Sequence, residues 1–125
     1  MAQEETHNLI SSNKVENTKV YDLKGNDIGE VEKLMIEKSS GRVGYAVVRF
    51  GDFFGLGGHT YPLPWEKLTY DEELDGYHLD VDRDQVEGAP KSPGEDDALW
   101  TPEQGKTIYN HYGVLPYWAT MPYVR

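Results

Sequence analysis

The chain has 125 residues, of which 22 are acidic and 12 basic, giving a formal charge of -10. That length fits one small domain, or one small domain with an extension. The charge argues against a general nucleic-acid binder and a protein held on an anionic membrane, since both need clustered Lys and Arg. No Cys is present, so disulfides, thiolate nucleophiles and Cys-based zinc sites are excluded together. Three Trp, nine Tyr and three Phe give a core something to bury, which argues against disorder.

The first eight residues are polar and carry Glu4 and Glu5. They lack the basic and apolar regions of a signal peptide. The longest apolar run, Tyr45 to Val48, stops at Arg49, far short of the ~20 residues of a membrane helix. These features predict a cytoplasmic protein with no membrane insertion.

In chain order, Thr18–Tyr21 is a short β-favouring stretch, and Asp22–Asp27 is a turn with Gly25 and Asn26 available for positive φ. Ile28–Lys38 and Arg42–Phe50 are two long strands about Ser39–Gly41, a strong hairpin signal. Gly51–Gly58 is a Gly-rich loop carrying Phe53, Phe54 and Leu56. Apolar residues on such a loop either fold back as a lid or form a contact surface. His59–Leu63 and Lys67–Tyr70 are short strands around Pro64 and Trp65, and Tyr77–Val81 is the last strand. About six short strands with regular turns predict a small barrel or sandwich.

Charge is unevenly spread. Lys14–Arg49 holds 7 basic and 6 acidic residues, whereas Asp71–Glu87 holds 8 acidic residues against Arg83 alone. The acidic run reads as a solvated face that could also dock a basic protein. Gly88–Asp97 combines Gly, Pro and acids and reads as a linker. Thr101, Pro102 and Gln104 then carry helix-start chemistry, and Gly113 fits a helix stop. The short helix contains Gly105 and is marginal alone. It must dock, through Ile108, Tyr109 and Tyr112. Residues 109–125 contain five aromatics (Tyr109, Tyr112, Tyr117, Trp118 and Tyr123), too many for a free tail. They either cap their own barrel or cross to a second subunit.

No constellation points to catalysis, a cofactor or a metal. His7, His59, His78 and His111 form no close metal spacing. Asp80, Asp82 and Asp84 open like a calcium loop. Gln85 and Lys91 stand where that loop needs Gly and Glu, so N-capping by Asp82 or Asp84 explains the acids better. Gly55–Gly58 is followed by β-like residues, without the Lys and helix of a phosphate cradle. Nothing resembles a nucleophile elbow.

Three stretches carry a resemblance: Val20–Ile36 with Gly25, Ile28, Gly29 and Val31; Gly41–Phe50; and the turn of Leu63, Pro64 and Trp65 with Leu68. In their order, across about residues 8–90, they resemble the PRC-barrel domain. That family includes the cytoplasmic domain of the photosynthetic reaction-centre H subunit and the C-terminal domain of a ribosome-maturation factor. The extension, with Tyr112 to Trp118, is similar to the tail of short stand-alone bacterial members. The resemblance implies a mainly β fold, a small antiparallel barrel, followed by a short C-terminal helix and an extended aromatic tail. The expected divisions are 1–90 for the barrel, 91–99 for the linker and 100–125 for helix and tail. Leu34 and Ile36 are expected to face inward, with Val43, Tyr45 and Val47 as their partner face. Val31 joins them only if a bulge near Glu32 and Lys33 resets the alternation. Trp65 is expected to plug one barrel end.

The resemblance implies binding rather than catalysis. The leading expectation is a non-enzymatic interaction or assembly module that forms a homodimer. Its expected surface comprises Phe53, Phe54, Leu56, Tyr112, Tyr117 and Trp118. Accessory electron transfer of the H-subunit kind, or binding of a small ligand such as a quinone, stands second. An RNA or ribosome role stands last, and docking of a basic protein on Asp71–Glu87 stands ahead of it.

Overall fold

The computed structural model describes residues 9–51, 56, 59–116 and 118. A one-turn helix α1 (Ser12–Val15) leads into β1 (Lys19–Tyr21), β2 (Asp27–Ile36), β3 (Val43–Phe50) and β4 (Thr60–Pro64). A 3-10 turn (Trp65–Lys67), β5 (Leu68–Asp71), β6 (Gly76–Leu79) and a short α2 (Arg83–Glu87) follow. The linker makes a second 3-10 turn (Asp97–Leu99) before α3 (Pro102–Tyr112). The fold is mainly β, as the resemblance implies.

The six strands form one sheet in the order β4-β3-β2-β1-β6-β5. Four of its five pairings are antiparallel, but β1 runs parallel to β6, with Val20 opposite Tyr77 and Tyr21 opposite His78. The sheet is therefore mixed rather than wholly antiparallel. Strands β4 and β5 are its two ends, joined by the 3-10 turn rather than a ladder. A single core takes Val20, Ile28, Val31, Val48, Tyr61, Leu68, Tyr77 and Leu79 from all six strands, so the sheet curls around it as a half-barrel. Each fully buried aliphatic side chain contributes about 1.5–3 kcal/mol of transfer free energy.

The β2–β3 register settles which side faces that core. It shifts between Val31 and Lys33, leaving Glu32 as the extra residue of a bulge. Val31 opposite Val48 and Leu34 opposite Ala46 thus share one face, which is the reset that the sequence required for Val31. Two expectations are corrected. First, Tyr45 and Val47 lie on the opposite face from Leu34 and Ala46. Both are buried, but Val47 lies outside the main core. The reason is legible in β3 itself, since both phases of Val43–Val48 are apolar or glycine and alternation cannot tell which phase points inward. Second, a further register shift after Met35 sets Ile36 opposite Val43 and leaves it 49% exposed. Trp65 is half-buried and packs edge-to-face on Tyr77 with ring centroids 5.4 Å apart.

Local capping chemistry sets the helices. The Asp82 side chain accepts from the Gln85 amide at 2.9 Å and starts α2. The Thr101 hydroxyl accepts from the Gln104 amide and starts α3, which has Pro at its first turn and ends at Gly113. Ile108, Tyr109 and Tyr112 are buried within the barrel's own core, so α3 docks on the face the sequence indicated and in cis.

Candidate interaction site

Helix α3 packs on β4 and on the start of β3. Tyr109 is the nail. It is fully buried, its hydroxyl donates to the Gly44 carbonyl, and its ring meets Tyr45 and Trp118 edge-to-face at 5.4 Å each. Tyr45 in turn contacts Trp100 at 5.5 Å. A run of four rings, Trp100–Tyr45–Tyr109–Trp118, therefore joins linker, sheet, helix and tail. Offset and edge contacts of this kind add about 0.5–1.5 kcal/mol per pair beyond burial. On the other flank, His111 Nε2 lies 2.7 Å from the Gln85 carbonyl, tying α3 to α2.

Beside these rings runs a groove of about 450 Å³, lined by Met35, Ile36, Tyr45, Trp100, Gly105 and Trp118. Gly105 makes the close approach possible. A Cβ there would stand 2.7 Å from the Tyr45 hydroxyl oxygen and 3.3 Å from Trp118 Cη2. The helix breaker that weakens α3 in sequence terms is what lets the helix lie against the rings. Trp118 also lines a second concavity with Val114 and Leu115. Ile36, Leu115 and Trp118 are 49%, 71% and 43% exposed. The indole N–H of Trp100 is buried without an acceptor.

The residues expected to form an interaction surface are dispersed. Trp118 stands exposed at the groove. Tyr112 and Leu56 are buried in the core and present no surface. Phe53, Phe54 and Tyr117 lie outside the described residues. Sequence reasoning missed Met35, Ile36 and Trp100 as a surface. The signal was there in the aromatic pair Tyr45 and Trp100, but only the fold brings them together.

A second cluster lies at the parallel junction. His78 on β6 places Nδ1 2.9 Å from the Asp22 carbonyl oxygen and Nε2 2.8 Å from Asp71 Oδ2. A carbonyl only accepts, so Nδ1 carries a hydrogen, and a second proton on Nε2 completes the bond to Asp71. The Asp22 carbonyl and the Asp71 carboxylate raise the His78 pKa above its ordinary value. The bond from His78, together with the Leu74 amide, lowers that of Asp71. The imidazolium bolts the β1–β2 turn to the end of β5. His59 lies apart from it, in a cleft with Lys33, Arg49 and Lys91. No group of three or more His, Asp or Glu able to hold a metal occurs among the described residues.

The acidic run is partly committed to structure. Asp71 binds His78, Asp75 accepts from the Tyr70 hydroxyl, Asp82 caps α2, and Glu87 pairs with Arg83 at 2.8 Å. No helix among the described residues is long and apolar enough to cross a membrane.

The mixed half-barrel is consistent with a family comparison, in which the PRC-barrel domain model matches residues 7–86. The chain belongs to the PRC-barrel domain family. Comparison with curated proteins returned no match. The PRC-barrel match takes in β1 to β6 and most of α2 and stops short of the linker and α3. The groove therefore sits on a seam. Met35, Ile36 and Tyr45 come from the PRC barrel, whereas Trp100, Gly105 and Trp118 come from the extension.

Proposed function

We propose that this PRC-barrel protein is a non-enzymatic assembly module that forms a homodimer through the groove around Trp118. The observation that carries the reading is the apolar rim of Ile36, Leu115 and Trp118, which stays exposed after α3 has already buried Ile108, Tyr109 and Tyr112. In sequence, Met121, Tyr123 and Val124 follow Trp118. A second copy is the occupant that fits best. A two-fold contact needs one self-complementary patch, and a groove with apolar ridges beside it supplies both halves. Burying a large exposed aromatic at the centre of such a contact is worth about 2 kcal/mol or more.

The test is light scattering coupled to size exclusion across a wide concentration range. The full chain should run as a dimer, and Trp118→Ala should shift it towards monomer at the same concentrations. A wild-type chain that stays monomeric throughout refutes the reading. Truncation near Pro90 is a poor test, because it removes Ile108, Tyr109 and Tyr112 from the core.

One observation favours a second reading. The buried Trp100 N–H without an acceptor, beside a groove of about 450 Å³, suits a small flat molecule carrying a carbonyl oxygen, such as a quinone. Trp100 and Trp118 flank that space, so tryptophan quenching by a soluble quinone would report it. A flat titration excludes it.

A further inference from the structure

A polar cleft of about 290 Å³ lies against the side of β2–β4 that carries Val47. Lys33 comes from β2, Arg49 from β3, His59 from just before β4, and Lys91 and Ser92 from the linker. The linker is strapped down there, since the Ser92 amide donates to the Thr60 carbonyl at 2.9 Å. Val47, buried outside the main core, lines the same cleft beside this strap.

The cleft runs against the charge of the chain. Lys and Arg are outnumbered 22 to 12 by acids overall, yet Lys33, Arg49 and Lys91, with His59 beside them, line this one cleft against Glu32 and Glu95. Glu32 is already engaged by Arg49. Among the described residues, Lys33 and Lys91 enter no ion pair, so Glu95 is the one uncommitted acid facing them. Lys91 lines the cleft and places its ammonium 6.0 Å from the ring centroid of Tyr61, the residue next to Thr60. The Ser92 hydroxyl lies buried with no hydrogen-bond partner. Leaving such a group unsatisfied costs about 1–3 kcal/mol. Donors therefore dominate, with two ammonium groups, a guanidinium, an imidazole and an orphaned hydroxyl.

We propose that this cleft binds a small phosphate-bearing anion between Lys33, Lys91 and His59, with the Ser92 hydroxyl as a further donor. A phosphate presents its oxygens as a tetrahedron, whereas a carboxylate presents two in one plane, and so it matches a site whose donors converge from β2, β3, the residue before β4 and the strap. Arg49 stays on Glu32 and supplies its remaining N–H groups and its charge. The site is distinct from the groove at Trp118, and neither depends on the other.

The experiment is a two-dimensional amide NMR titration of the full chain with sodium phosphate, against sodium chloride at matched ionic strength and pH. Phosphate should give saturable shifts centred on residues 32–33, 47–49, 59–60 and 91–95, and chloride should not. Lys33→Gln and Lys91→Gln, each checked for an unchanged amide spectrum without phosphate, should each weaken phosphate binding about three- to tenfold. A parallel titration with glycerol 3-phosphate separates two sources of the same chemistry. Tighter binding than phosphate assigns the site to a phosphomonoester, and equal or weaker saturable binding assigns it to the free ion. Phosphate shifts that track chloride, or binding unchanged in both Lys variants, overturn the proposal.

Discussion

Tyr109 offers the sharpest test of whether α3 and the barrel share one core. Tyr109→Phe keeps the ring and both edge-to-face contacts and removes only the hydroxyl that donates to Gly44. The loss combines a net hydrogen bond of about 0.5–1.5 kcal/mol with a buried carbonyl deprived of that donor, so the expected cost is about 1–2 kcal/mol. Tyr109→Ala also removes the ring from a fully buried site. Aromatic-to-alanine changes in cores cost about 3–5 kcal/mol, offset by roughly 0.5 kcal/mol of better helix propensity. Domains of this kind have about 5–15 kcal/mol of stability in all, so the Ala variant should lose a large share of it. Urea unfolding followed by tryptophan fluorescence and by far-ultraviolet circular dichroism reads both numbers. Trp100 and Trp118 report the helix contact, Trp65 against Tyr77 reports the barrel, and the dichroism reports the backbone of sheet and helix together. Coincident transitions, displaced by these amounts, are expected. An Ala variant within about 1 kcal/mol of wild type, or two separate transitions in the wild type, would refute the shared core.

Three further outcomes follow from named contacts. Gly29→Ala drives a Cβ into the Arg49 carbonyl oxygen, and backbone cannot step aside cheaply, so about 1–3 kcal/mol should be lost in urea unfolding; Gly51→Ala, with open space around it, should be near neutral. His78→Gln tests the bolt at the parallel junction. The raised His78 pKa makes its contribution full below its ordinary 6.5 and lost as pH rises through the folded value, and the lowered Asp71 pKa makes its own present above 3.8 and lost as pH falls. The gap in thermal midpoint between wild type and His78→Gln should therefore be widest between about pH 4 and 6.5 and shrink above that; a gap that grows with pH contradicts the pairing. Thr101→Ala removes the cap on the Gln104 amide and should cost about 1 kcal/mol, measured by the same unfolding assay, with Thr101→Ser recovering most of it.

Much of this architecture was legible before any coordinates, and the failures have definite causes. Helix α3 was readable because Thr101, Pro102 and Gly113 act within one or two turns of themselves, and the docking stripe Ile108–Tyr109–Tyr112 repeats at helical spacing. The β2 bulge was readable as a conflict of phase between Val31 and Leu34. The inward phase of β3 was not, because a strand buried on both faces loses its alternation. Ile36 was misplaced by a second register shift that leaves no mark in composition. The groove and the basic cleft were illegible for one shared reason. Each is built from residues more than fifty positions apart, Tyr45 with Trp100 and Lys33 with Lys91, and only the path of the linker sets them side by side.

The parallel pairing of β1 with β6 has a consequence for the order of events during synthesis. Val20 cannot find Tyr77 until most of the barrel has been made, whereas β2, β3 and β4 are joined by short connections and can pair as they emerge. The β2–β4 meander should form first and carry β1 on its flank as a raw edge. Contacts that span so much chain are late and slow to close, because the entropy of closing the intervening loop must be met first. For that interval the edge of β1 is a template for any other strand. The nascent chain is thus most exposed to mispairing just before His78 and its neighbours arrive, and a pause in translation shortly upstream of Gly76 would lengthen that window.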